Sequence, residues 1–213
     1  MNIINFILVI FSFFIQQDSE AKAILDQLYN KIKSTEAYKV EFKLEVENQQ
    51  NGKTTTQDGI IIIKGEKYKL TLDKVVQYFN GMIYYNYMPD ENEVTITKES
   101  RYKEDFANNP MRLFTIYNKE FKYRLLGEVK FNNKECYEID LYPYDLNKKY
   151  AIIKLIIDRD KNEPVAAKVK MKTGVHYTIN ISKFNTNIKV DDKEFEFDVK
   201  AYKDIEIIDL RKK

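Results

Sequence analysis

The sequence predicts a mainly β protein, one large antiparallel sheet of roughly ten to twelve strands, curled or closed on itself. Three observations predict it. Apolar and polar residues alternate with period two on segment after segment from Tyr38 to Ile181. Tyr (16) and Phe (13) abound, residues that suit a pleated, half-buried surface. The six Gly, the four Pro and many of the Asn and Asp residues fall where the alternation breaks.

Residues 1–17 carry no charged side chain, and Ile3 to Ile15 form an apolar run of the length of a secretory h-region. The run is too short to span a bilayer comfortably. It is expected to be a signal peptide cut between Ile15 and Ser19, because the small-residue triplet Ala21-Lys22-Ala23 falls late and inside the next element. No Cys follows it, so no lipid anchor of the bacterial lipoprotein kind can be attached there. Residues 18–213 are expected to be a single domain.

From Asp18 to Ser34, Ile24, Leu25, Leu28 and Ile32 recur at helical spacing behind a candidate N-cap at Asp18 or Ser19. The period then changes to two: Tyr38, Val40, Phe42, Leu44 and Val46 alternate with charged residues. Asn51-Gly52, Gly65-Glu66, Asn80-Gly81 and Pro89-Asp90 read as turns between strands ending at Ile63, carrying Tyr68, Leu70 and Leu72, running Val75 to Phe79, Ile83 to Tyr87 and Val94 to Ile96. Asn109-Pro110 reads as an N-cap and first helical position ahead of a short apolar helix, Met111 to Tyr117. Strands are expected again at Phe121 to Leu126, Tyr137 to Leu141, Tyr150 to Ile157, Val165 to Met171 and Val175 to Ile181.

Composition excludes several functions. Lys+Arg 35 against Asp+Glu 33 gives a net charge of +2, too even for a surface that gathers phosphates, so no nucleic-acid partner is expected. One Cys and one His leave no disulfide framework, no Cys-based zinc site and no cofactor or metal to expect. His176 falls on the opposite strand face from Val175, Tyr177 and Ile179, and Glu93, Glu138 and Asp140 sit between apolar positions. All four are therefore expected to face solvent, away from any cleft that acid–base chemistry needs. Cys136 reads as a buried, inert thiol. No catalytic residue is assigned.

A sheet this large has more apolar face than two helices cover, so it either fills itself with side chains or leaves a hydrophobic cavity. Rings and the thioethers of Met82, Met88, Met111 and Met171 suit an adaptable lining. At this point the chain resembles LolA, the periplasmic outer-membrane lipoprotein carrier family. The likeness runs from Ala23-Ile24-Leu25-Asp26 to Ile208-Asp209-Leu210-Arg211. Its more specific parts are Asn80 to Pro89, similar to the family's Asp-Gly-Lys-x-x-Trp-x-Tyr-x-Pro, then Pro110 to Phe114, Lys134 to Pro143 and Phe195-Glu196-Phe197.

The resemblance implies an unclosed antiparallel barrel of about eleven strands around a few short lid helices over a hydrophobic cavity. It implies a monomeric periplasmic chaperone, not an enzyme. The partners would be triacylated lipoproteins, an inner-membrane lipoprotein-releasing ABC transporter and an outer-membrane acceptor. Val40, Phe42, Leu44, Tyr68, Leu70, Ile83, Tyr85 and Tyr87 would line the cavity. Leu25, Leu28, Met111, Leu113 and Phe114 would form the lid. Two positions depart from the family: the lid-latching Arg after the strand Lys is Gly65, with Lys64, Lys67 or Arg112 as substitutes, and the family Trp is Tyr85. The rival readings are a lipid- or lipoprotein-binding sensor module of the same fold, the lipid-anchored acceptor, which needs an N-terminal Cys, and an enzyme acting on lipids.

Overall fold

A computed structural model of the chain describes residues 3–98, 106, 109–186 and 188–211, with the side chains of 3–18, 118 and 119 outside the described residues. Twelve strands are hydrogen-bonded in the order β12-β6-β5-β4-β3-β2-β1-β11-β10-β9-β8-β7, so the sheet has two end strands and is unclosed. They are β1 (Ala37–Asn48), β2 (Lys53–Lys64), β3 (Lys67–Leu72), β4 (Val75–Phe79), β5 (Ile83–Met88), β6 (Glu93–Lys98), β7 (Phe121–Phe131), β8 (Lys134–Pro143), β9 (Tyr150–Asp158), β10 (Pro164–Met171), β11 (Val175–Asn185) and β12 (Glu206–Asp209). The sheet is mixed: β12 runs parallel to β6, with Ile207 beside Val94. The chain can make that pairing because a long C-terminal connection brings it back to β6 from β11, where a tight hairpin would have forced antiparallel pairing.

Helix is concentrated in α1 (Ile3–Ser34), with a 3₁₀ turn at Pro110–Phe114 and the four-residue α2 (Tyr117–Glu120). In the full chain the backbone is helical through Asp18 and Ser19, so neither caps an N-terminus there. The predicted helix over Met111 to Tyr117 is broken into the 3₁₀ turn and α2. Its expected cap is present, since Asn109 Oδ1 accepts from the Met111 amide at 3.1 Å.

The chain divides into two compact units. The first comprises Met1–Ser34, Val46–Thr54 and Leu113–Ile179. In it α1 packs on β7 through a stripe of Ala21, Ile24, Leu25, Leu28 and Ile32, all buried. Pairing across β7 to β10 puts Leu125, Ile139, Leu155 and Ala167 in one row and Leu141, Ile153 and Val169 in another on the same face. All seven are at most 5% exposed, and each Leu, Ile or Val side chain so buried is worth about 1.5–3 kcal/mol. Asn132-Asn133, both at positive φ, close the β7–β8 hairpin as a two-residue turn whose twist matches the strands.

Two sequence expectations fail in this unit. Asp140 is buried, because its neighbours on that face are long and paired with it: Lys154 Nζ lies 3.2 Å away and the Tyr142 hydroxyl donates to Asp140 at 3.1 Å. Paired charges can be taken from water where a lone one cannot. His176 is also buried, since both parities of β11 are covered at its start: Val175 and Tyr177 are half-buried beside it. Glu138 is half-buried and donated to by Lys154. Cys136 is fully buried, and burial raises its thiol pKa, as an inert sulfur requires.

The second unit comprises Thr35–Glu45, Thr55–Arg112 and Asn180–Lys213 and holds the antiparallel run β2-β3-β4-β5-β6. A C-terminal segment with 3₁₀ turns at Asp192–Phe195 and Val199–Ala201 belongs to the same unit.

Candidate functional site

Strand register in the second unit assigns every side chain of β2 to β6 to one of two faces. On one, Ile63, Tyr68, Phe79, Tyr84 and Thr97 sit opposite one another in a row, and Ile61, Leu70, Gln77, Asn86 and Thr95 form the next. The ring of Phe42 belongs to this face as well. A Cβ built on Gly59, two residues before Ile61, would lie 2.4 Å from Phe42 Cζ, so glycine there makes room for the ring. Phe42 and Val40 share a strand face by parity, and both are buried.

The other face carries Lys64, Lys67, Lys69, Tyr78, Ile83, Tyr85, Tyr87, Val94 and Ile96 by the same register. It is filled by the chain's own C-terminal segment. Phe197 sits 5.2 Å from the Tyr87 ring, 5.5 Å from Tyr78 and 6.0 Å from Tyr85, and Tyr202 stacks on Phe197 at 4.8 Å and 15°. Val199, Tyr202 and Ile205 pack against the same cluster.

The eight residues expected to line one cavity are therefore divided. Val40, Phe42, Tyr68 and Leu70 share the first face, and half-buried Leu44 joins them by parity. Ile83, Tyr85 and Tyr87 point to the second, under Phe197. The Tyr85 ring stands on that filled face.

Electrostatics mark the second face too. Asp192 receives Lys67 Nζ at 2.7 Å and Lys64 Nζ at 2.9 Å, which together hold its carboxyl far down, at about 2. Lys64 also donates to the Val190 carbonyl at 3.2 Å, and Lys69 pairs with Glu194 at 2.7 Å while lying 5.2 Å over the Tyr78 ring. Lys64 and Lys67, two of the residues expected to replace the latching Arg at Gly65, are thus committed to the C-terminal segment. Gly65 itself is at φ +59 in the β2–β3 turn, a conformation that disfavours Arg.

The residues expected in the lid are all buried: Leu25, Leu28, Leu113 and Phe114 in the first unit and Met111 in the second. Within the first unit α2 is tied to α1, because the Tyr117 hydroxyl donates to Asp26, which also accepts from Lys22 at 2.5 Å. The Lys22 bond, then the Tyr117 bond, lower the Asp26 carboxyl pKa, and burial raises that of Tyr117.

The first face also holds polar groups that sequence reading passed over. Gln77 Nε2 donates to Asn86 Oδ1 at 3.1 Å, which turns the Asn86 amide nitrogen to other acceptors. Thr97 is 1% exposed, and its hydroxyl has no hydrogen-bond partner among the described residues. The amides and hydroxyls of this face, Gln77, Asn86, Thr95 and Thr97, thus stand on β4 to β6 among the Phe79 and Tyr84 rings, with the Tyr68 hydroxyl on β3. For Asn86 no signal could have shown this before register was known, since its neighbours of both parities are apolar or aromatic; Thr97 alternates with Val94 and Ile96, which marks a polar face but not its burial. Among the described residues no group of three or more His, Cys, Asp or Glu is placed to hold a metal ion, and no helix is long and apolar enough to cross a membrane.

The same fold occurs in solved structures. An uncharacterized conserved protein from Thermus thermophilus superposes with a TM-score of 0.60 at 12% identity, covering 89% of this chain and 99% of that one. The lipoprotein LppX of Mycobacterium tuberculosis gives 0.52 at 14% identity, over 82% of this chain and 100% of that one. A LolA superfamily protein from Nitrosomonas europaea gives 0.44 at 13% identity, over 83% and 97%, too loose to separate one family of this fold from another. No curated protein matches the sequence. A family model described as "-like: Uncharacterized protein" matches residues 80–195, more than half of the chain. The protein belongs to that family.

Proposed function

We propose that the protein is an exported, non-enzymatic carrier of the LolA type that shelters the acyl chains of lipoproteins between the inner and outer membranes. The observation that carries this reading is the first face of the second unit. Val40, Phe42, Ile61, Leu70, Tyr68 and Phe79, each at most 4% exposed, make a continuous buried apolar face of rings and aliphatic chains there, beside the half-buried Tyr84. Such a surface grips alkyl chains of varied shape by dispersion and by exclusion of water. The need is physical: burial of an acyl chain is worth about 0.8 kcal/mol per methylene, so several long chains left in water would cost on the order of tens of kcal/mol.

The second face is occupied by Phe197 and Tyr202, so Ile83, Tyr85 and Tyr87 drop out of the proposed lining. The lid assignment to Leu25, Leu28, Met111, Leu113 and Phe114 belongs to this proposal, as do the signal peptide, the periplasmic location, the donor transporter and the outer-membrane acceptor. Cleavage between Ile15 and Ser19 would start α1 near Asp18. The test is native mass spectrometry of the protein purified from its own envelope, with extraction of the lipids that travel with it. Co-purified triacylated lipoprotein, lost in Leu44→Asp, is the expected result. Leu44 is chosen because it is half-buried and takes a charge at less cost to folding than Phe42. A chain that emerges empty in the presence of its donor overturns the reading.

A further inference from the structure

Resting on that reading, we infer that the first face recognises the carbonyl at the head of an acyl chain as well as its alkyl tail, with Thr97 Oγ1 and Asn86 Nδ2 as the donors. A hydroxyl buried to 1% exposure with no hydrogen-bond partner among the described residues is a standing cost that an accepting ligand removes. Thr97 stands directly opposite Tyr84, and Asn86 lies two positions along β5 from Tyr84 on the same side, so the two polar groups are diagonal neighbours across β5 and β6. The Gln77 bond fixes the Asn86 amide with its oxygen engaged, which leaves the nitrogen to donate.

The order of residues along the rows gives the ligand its direction. Ile61 and Leu70 precede Gln77 and Asn86 in one, and Ile63, Tyr68 and Phe79 precede Tyr84 and Thr97 in the other. An alkyl chain lies over β1 to β3 and its ester or amide carbonyl reaches β5 and β6. Both donors point to an uncharged acceptor, since no lysine or arginine stands in either row. The ligand class is therefore an acyl ester or amide, not a free hydrocarbon.

The experiment is displacement of N-phenyl-1-naphthylamine from the intact exported protein by methyl laurate and, separately, by the alkane of the same length. The wild-type chain is expected to bind the ester about tenfold more tightly. Thr97→Val, nearly isosteric, should cut that preference about fivefold and hold or raise the melting temperature of the empty chain. Thr97→Ser should retain the preference, and Asn86→Leu should lower it independently. Equal binding of ester and alkane by the wild type overturns this inference and leaves the acyl-chain carrier standing. Loss of neither preference in Thr97→Val nor in Asn86→Leu overturns it as well. Failure of both probes to displace the dye overturns the carrier reading and this inference together.

Discussion

Phe197→Ala tests whether the C-terminal segment is a structural cover on the second face. Phe197 is 7% exposed and meets four tyrosine rings, with centroid distances from 4.8 Å to 6.0 Å. Removing a ring that buries roughly 150 Å² of apolar surface forfeits about 4 kcal/mol at ~25 cal/mol per Å². Core Phe→Ala changes cost about 3–5 kcal/mol once the cavity is counted, so the two routes agree. For a chain of this size that loss lowers the melting temperature by on the order of 10 °C. Urea unfolding gives the stability, and limited trypsin digestion gives the place. If Phe197 pins the segment, Lys200 and Lys203 beyond it become early cleavage sites while the strands stay protected. A loss below about 1 kcal/mol with an unchanged cleavage pattern would refute the assignment of Phe197 as the anchor.

Two further outcomes follow from the same unit. Gly59→Ala places a methyl 2.4 Å from Phe42 Cζ and should destabilise by about 1–3 kcal/mol, with most of the loss recovered in the double variant with Phe42→Leu; additive losses in a double-mutant cycle would contradict the close contact. Asp192 has a folded pKa of about 2, below its ordinary value of about 3.9, so its contribution is present above the ordinary value and is lost as pH falls through the folded one. Acid titration of stability should therefore show a component between about pH 4 and about pH 2 that Asp192→Asn lacks; identical acid profiles for the two chains would show that the clamp by Lys67 and Lys64 does not hold in solution.

Much of the fold was legible because local patterns and their burial agree. Ile24, Leu25, Leu28 and Ile32 at helical spacing became the buried stripe of α1, and the alternation from Tyr38 to Phe42 became the buried face of β1. The turns at Asn51-Gly52, Gly65-Glu66 and Asn80-Gly81 all place glycine at positive φ. What was illegible was the parallel pairing of β12 with β6, since a strand of four residues carries too little pattern to reveal its partner. Burial of His176 and Asp140 was hidden for a different reason: alternation reports one covered face, and both strands have partners or long side chains over the second.

The division of the candidate lining shows why a strand can be read correctly and its face still be lost. In β3 the even positions, Tyr68 and Leu70, join the first face; in β5 the odd positions, Ile83, Tyr85 and Tyr87, join the other. Within β3 the odd residues are charged or hydroxylic, so the choice of face is explicit. In β5 five of six residues are large and apolar or aromatic, so side-chain character does not vote. Such a strand has both faces covered, and only the pairing register, Phe79 opposite Tyr84 and Tyr78 opposite Tyr85, decides which ring goes where. That register is fixed by the turn at Asn80-Gly81, where Asn80 Oδ1 accepts from the Ile83 amide at 2.9 Å and Gly81 sits at φ +96. Lengthening the turn by one residue would exchange the two sets of rings. Tyr84 would then turn to the face of Phe197, and Tyr85 to the face of Phe79.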